Sequence, residues 1–75
     1  MEEAEKLVRQ GEAWEKAGEY ARAEEAFCRA LRCYEAAACT ARARELCLTL
    51  ADLDMTQGNL HGADVWYVRA LKYGK

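Results

Sequence analysis

Four cysteines and one histidine are the side chains in this 75-residue sequence best suited to chemistry. Cys28, Cys33, Cys39 and Cys47 follow one another as C-x4-C-x5-C-x7-C, and His61 lies well beyond the last of them. A zinc site is expected to show closely paired ligands such as C-x2-C; no such pair occurs, and no metal is expected. Nucleophilic catalysis requires a thiol and a base within hydrogen-bond reach, and nothing in the spacing brings His61 to Cys39 or Cys47. Beside Gly62 and Asp64, His61 reads as a surface residue at a helix start. A disulfide framework is not expected, because long helical patterns need no staples and no export signal is visible. The thiols should be free and reduced, acting as small apolar fillers. No glycine-rich phosphate loop or nucleophile elbow is present, so no catalytic residue, no cofactor and no enzyme are expected.

The elements that would carry these residues are helical. From Glu2 to Ala17, Leu7, Val8 and Trp14 recur with small Ala4, Gly11 and Ala17 at three- and four-residue steps, the period of an amphipathic helix. Gly18 stands where a left-handed residue would end it. From Tyr20, the residues Ala23, Phe27, Ala30, Leu31 and Tyr34 continue the same period, and the helix is expected to run on through Ala36, Ala37, Ala38 and Cys39, since alanine favours helix and no stop intervenes. Thr40 is the expected N-cap of the next helix. A third helix over about Arg42 to Gln57 is less regular, with alternating Leu46, Leu48 and Leu50. Gly58-Asn59 should end it, and a fourth should run from Leu60 to about Lys72 with Leu60, Ala63, Tyr67, Ala70 and Leu71 facing inward. Small Gly11 and Ala23 at a helix crossing would let two axes approach to about 8–10 Å, with Trp14, Tyr20 and Phe27 filling the space beside it. Trp14, Tyr20, Phe27 and Tyr67 are all expected in the core.

The stretch Gly11-x2-Trp14-x3-Gly18-x-Tyr20-x2-Ala23-x3-Phe27-x2-Ala30-Leu31 resembles one tetratricopeptide (TPR) repeat, the helix–turn–helix unit of protein-binding solenoids. Gly58, Leu60, Ala63, Tyr67, Ala70 and Leu71 repeat the set forty residues later. The resemblance implies an all-α fold of two antiparallel helical hairpins stacked as a short solenoid, in one domain spanning residues 1–75. Repeat one covers about 4–39 and repeat two about 42–73. Two departures stand out. The period exceeds the usual repeat by six residues, as in longer-period TPR proteins, and Asp54 stands where Trp14 stood, making the second repeat degenerate. Solenoids usually need three or more repeats and a polar terminal cap. Two repeats with an apolar last helix therefore suggest a piece of a longer array, with self-association also expected.

The totals fit that reading. A chain this short has only a marginal core and no room for a large enclosed active site. The net charge of −2 lacks the basic footprint of a nucleic-acid binder. Acidic residues crowd the first half, whereas Arg42, Arg44, Arg69, Lys72 and Lys75 make the second mildly basic. No apolar run is long enough for a membrane span, and Glu2, Glu3, Glu5 and Lys6 break up any secretory signal at the start, so a cytoplasmic, intracellular protein is expected.

In TPR domains the first helix of each hairpin lines a concave groove. The matching positions here are Glu5, Val8, Glu12, Glu15 and Lys16 on the first helix, and Glu45, Leu48, Asp52, Met55 and Thr56 on the third. The family's clamp for acidic carboxyl termini uses lysine and asparagine, where this chain has Glu12, Glu15 and Asp52. The implied ligand is therefore a basic or amphipathic protein segment, with Val8, Leu48 and Met55 as apolar anchors. A plain solvated acidic face is the competing reading. Val65, Trp66, Val68 and Tyr73, off the inward stripe of the fourth helix, form a second expected interface. The overall expectation is a non-enzymatic adaptor. Two rivals are a three-helix microtubule-interacting-and-trafficking domain, which would bind helical tails of membrane-remodelling proteins, and an oligomerisation module that swaps its fourth helix.

Overall fold

The computed structural model describes residues 2–73, so Lys75 lies outside the described residues. Four helices form: α1 (Glu2–Lys16), α2 (Tyr20–Ala36), α3 (Thr40–Thr56) and α4 (Leu60–Tyr73). The three-helix arrangement weighed above is not the fold. Each of α1, α2 and α3 packs against its successor, giving two helical hairpins stacked through α2 and α3. Among the described residues, no Cα of α1 comes within 8 Å of one in α3, and none of α2 within 8 Å of one in α4. The result is a slab of 30 × 26 × 12 Å.

The three connections have one shape. Gly18, Ala38 and Gly58 all adopt positive φ, at 79°, 57° and 78°. In each, the N–H of that residue donates to a carbonyl three residues back, and the next N–H to one five back: Glu19 to Trp14 at 2.9 Å, Cys39 to Tyr34 at 2.9 Å, Asn59 to Asp54 at 2.8 Å. These pairs are the Schellman arrangement that satisfies the last carbonyls of a helix. The structural unit is therefore one helix plus one turn, repeated at Gly18, Ala38 and Gly58. Its alanines repeat as well, for Ala23, Ala43 and Ala63 all donate to the N-cap carbonyl of their helix and are all buried.

Two boundaries differ from expectation. Helix α2 stops at Ala36 rather than running through Cys39, because Ala38 turns left-handed despite its Cβ. The N-cap of α3 is Cys39, not Thr40, and neither Glu19 nor Cys39 makes a side-chain cap bond. Only α4 begins with such a bond among the described residues, the Gly62 N–H donating to Asn59 Oδ1 at 3.1 Å.

The core lies along α2 and α3. Ala23, Phe27, Ala30, Leu31 and Tyr34 of α2 meet Ala43, Leu46, Cys47, Leu50 and Leu53 of α3, with Ala4 and Leu7 closing one side and Ala70 the other. Gly11 is required where α1 crosses α2: a Cβ there would stand 2.7 Å from Cε1 of the buried Phe27 ring. In the second hairpin Ala51 occupies the matching place, its Cβ fills that space, and Tyr67 is 39% exposed where Phe27 is 1%. Trp14 is also outside, 37% exposed, with the Arg22 guanidinium 4.9 Å from its ring centre. Of the four aromatics expected in the core, only Phe27 is fully buried; Tyr20 is half-buried. The Arg22 guanidinium covers one face of the exposed ring.

An alanine in the left-handed region costs roughly 1–2 kcal/mol, part of which glycine gives back through greater freedom in the unfolded chain. Ala38→Gly is therefore expected to stabilise the protein by about 0.5–1 kcal/mol. Urea unfolding followed by circular dichroism measures it, with a rise in midpoint at constant slope as the expected result.

Candidate functional site

Two surfaces are open, one between α1 and α3 and one along α4. The first is a cleft of about 470 Å³ lined by Glu5, Val8, Arg9 and Glu12 of α1, Tyr34 of α2, and Arg42, Glu45, Leu46 and Thr49 of α3. It exists because α1 and α3 lean to one side of α2 without meeting. Tyr34 is buried and Val8 half-buried, so the cleft has apolar ground between charged rims. Three carboxylates, Glu5, Glu12 and Glu45, face two guanidiniums, Arg9 and Arg42, leaving one net negative charge. Arg42 already spans 3.4 Å to Glu45 on its own helix.

Of the ten groove residues expected from the sequence, this cleft gathers Glu5, Val8, Glu12 and Glu45. Glu15 and Lys16 join Glu12 in a separate shallow depression. Leu48, Asp52, Met55 and Thr56 do not line the cleft; all four are exposed on other parts of α3. The face α3 turns to α1 is rotated by roughly 80° from the expected one, at about 100° per residue. The cause is that α3 is a central helix. Leu46, Leu50 and Leu53 join the core cluster with α2, and Cys47, Ala51 and Asp54 are buried too, so the exposed strip is narrower and displaced. That rotation brings Arg42 and Thr49 of α3 to the cleft in place of the expected residues, and Arg9 joins them from α1.

Asp54 is the buried charge of the second hairpin. Its carboxylate lies at the amino end of α4, where a Cβ on Gly62 would come within 2.5 Å of Oδ2. That end carries the positive pole of the helix macrodipole, a favourable setting for an anion. Asp54 and Gly62 take the places that Trp14 and Arg22 hold in the first hairpin, so a close contact replaces a surface stack.

The second surface is set by Glu35. Its Oε2 accepts a hydrogen bond from Arg69 Nη2 at 2.8 Å and another from the Tyr73 hydroxyl, tying the end of α4 to the end of α2. With Tyr73 held there, Trp66, about two turns earlier and so on the same side of the helix, also turns inward, and both pack half-buried on the core. The Arg69 guanidinium lies 5.5 Å from the Trp66 ring centre. The inward stripe of α4 is consequently Ala63, Trp66, Ala70 and Tyr73, turned by roughly 70° from the expected Leu60, Ala63, Tyr67, Ala70 and Leu71. Trp66 and Tyr73 are thus not the open interface expected of them. Val65 and Val68 are exposed, and Leu60, Tyr67 and Leu71 join them outside, Leu71 at 69%. Beside them runs an open cleft of about 720 Å³ lined by Glu35, Asp64, Val65, Val68, Arg69, Lys72 and Tyr73.

The chemistry-bearing residues do not assemble. Among the described residues no three His, Cys, Asp or Glu side chains converge as a metal site would require. His61 is exposed, and all four cysteines are free, Cys47 buried and the others half-buried. Burial pushes the Cys28 and Cys47 thiols above their ordinary value near 9.0, in Cys28 with Glu24 adding to the effect. They therefore remain protonated and weakly nucleophilic at neutral pH.

Two outcomes are expected. The folded chain holds these thiol protons more tightly than the unfolded one, so stability should be at full value below about pH 9 and fall as pH rises beyond it; denaturation at pH 7 and pH 10 tests the sign. Glu35→Ala should cost about 1 kcal/mol, discounted because the Arg69 side of the pair is partly solvated, and should speed amide exchange in α4 before the other helices. Comparison with protein-family models, curated proteins and solved structures gives no match to the chain.

Proposed function

We propose that this chain is a non-enzymatic protein-interaction module, a pair of TPR-like hairpins that acts as an adaptor. The observation that carries the proposal is the outer side of α4, where Leu60, Val65, Tyr67, Val68 and Leu71 remain exposed together. Exposed apolar side chains concentrated on one short helix of a small chain mark a contact site, since leaving them in water forfeits about 25 cal/mol for each Å² that a partner would cover. The TPR-like reading is supported by the Gly11–Phe27 crossing and by the left-handed turns at Gly18 and Gly58. The non-enzymatic part is supported by protonated, enclosed thiols and a solvent-facing His61. A cytoplasmic setting belongs to the same proposal, and the free cysteines support it, because a reducing compartment keeps thiols unpaired. Among the described residues no helix is long and apolar enough to cross a membrane.

The α1–α3 cleft favours a second contact. Its apolar floor at Val8, Tyr34 and Leu46, between rims carrying one excess carboxylate, suits an amphipathic segment with basic residues on its flanks. Its weak net charge makes steering by long-range attraction small, so apolar anchoring should dominate. A labelled amphipathic Leu/Lys helix serves as the probe in fluorescence anisotropy. Val8→Asp with Leu46 intact is expected to weaken binding about tenfold, and Glu5→Lys/Glu12→Lys less so, with the second loss disappearing in high salt. Equal binding by all three proteins would remove the cleft from the proposal and leave α4 as its basis.

A further inference from the structure

The occupant of the α4 face follows from the repeat register. Moving Leu60, Tyr67 and Leu71 back by forty residues gives Tyr20, Phe27 and Leu31, the side of α2 that lies in the core: Tyr20 is half-buried, Phe27 and Leu31 are within 2% of complete burial. On α2 that side is closed in part by α3, whose Ala43, Leu46, Leu50 and Leu53 join the same core cluster. A head-to-tail stack would place α1 of the next copy on α4 in the role of α3. The α1 residues at the matching places are Glu3, Lys6, Gln10 and Ala13, all exposed and three of them polar or charged. Stacking of that kind would bury two charges with no partner in view, so α1 of a second copy does not suit the α4 face.

A second copy can instead meet the face with its own α4. Val68 stands near the middle of the exposed side, 58% open, with Asp64 four residues before it and Lys72 four after, both exposed. A two-fold axis through Val68 with the helices antiparallel sets Asp64 level with Lys72 of the other copy, and Val65 level with its Leu71. The same rotation sets Tyr67 level with the other Arg69. A parallel pairing would set Asp64 against Asp64 and Lys72 against Lys72, which like charges oppose. The geometry points to a symmetric homodimer formed by antiparallel α4 helices packed about Val68. This rests on the reading of α4 as a contact site given above. A helix of this length presents about 21 Å of contact, at the small end of specific interfaces, so the dimer is reversible and concentration-dependent.

Sedimentation velocity over a concentration series tests it, using the full chain, with circular dichroism to verify each variant's fold. The wild type is expected to shift from monomer to dimer, and Val68→Glu to remain a monomer. Asp64→Lys and Lys72→Asp should each weaken the dimer about tenfold or more. Mixed together, or combined as Asp64→Lys/Lys72→Asp in one chain, they should recover it, because opposite charges face each other again. A wild type that stays monomeric throughout would overturn the homodimer while leaving α4 open to a different protein. Association that Val68→Glu leaves intact would place the self-contact on another face and overturn the α4 homodimer. Failure of the mixture to recover association would overturn the antiparallel register.

Discussion

One carboxylate sets what this protein shows to solvent. Glu35, at the end of α2, receives both the Arg69 guanidinium and the Tyr73 hydroxyl, and so fixes the rotation of α4 about its own axis. A helix with apolar residues on most of its sides has no strong preference of its own for which of them to bury. Glu35 removes that freedom. Once Tyr73 and Trp66 are inward, Leu60, Tyr67 and Leu71 must be outward, and the character of the final surface follows.

The two outer helices, α1 and α4, are therefore unlike. The open side of α1 carries Glu3, Lys6 and Gln10 and tolerates water without cost. The open side of α4 carries leucine, valine and tyrosine and does not. Between them, α2 and α3 provide nearly all of the fully enclosed large side chains, Phe27, Leu50, Leu53 and Cys47. A chain of this size has little stability to spare, and coverage of α4 would add apolar burial where the fold has least.

The second hairpin is a variation on the first rather than a decayed copy. Where the first uses Gly11 to admit the Phe27 ring and lets Arg22 cover Trp14, the second uses Ala51, turns Tyr67 outward and brings Asp54 against Gly62. Each substitution exchanges side-chain volume on one helix for space on its neighbour, which is what close packing demands. The cysteines take part in the same way: Cys47 lies in the core and the other three pack at its edge.

The sequence by itself determined the helices and the order of the hairpins. Apolar steps of three and four residues and glycines 18 and 58 act within one or two turns of chain, so neighbours in sequence are enough to define them. It also held a shorter period, with Ala23, Ala43 and Ala63 in step, which would have placed the Ala38 turn had alanine's helix preference not masked it. Only the tertiary structure decided the rotation of each helix. The sides of α3 facing the cleft and of α4 facing solvent depend on contacts such as Glu35 with Arg69 and Tyr73, and on which helices end up central. For helices apolar on several sides, local periodicity leaves those choices nearly equal in energy, and long-range packing breaks the tie.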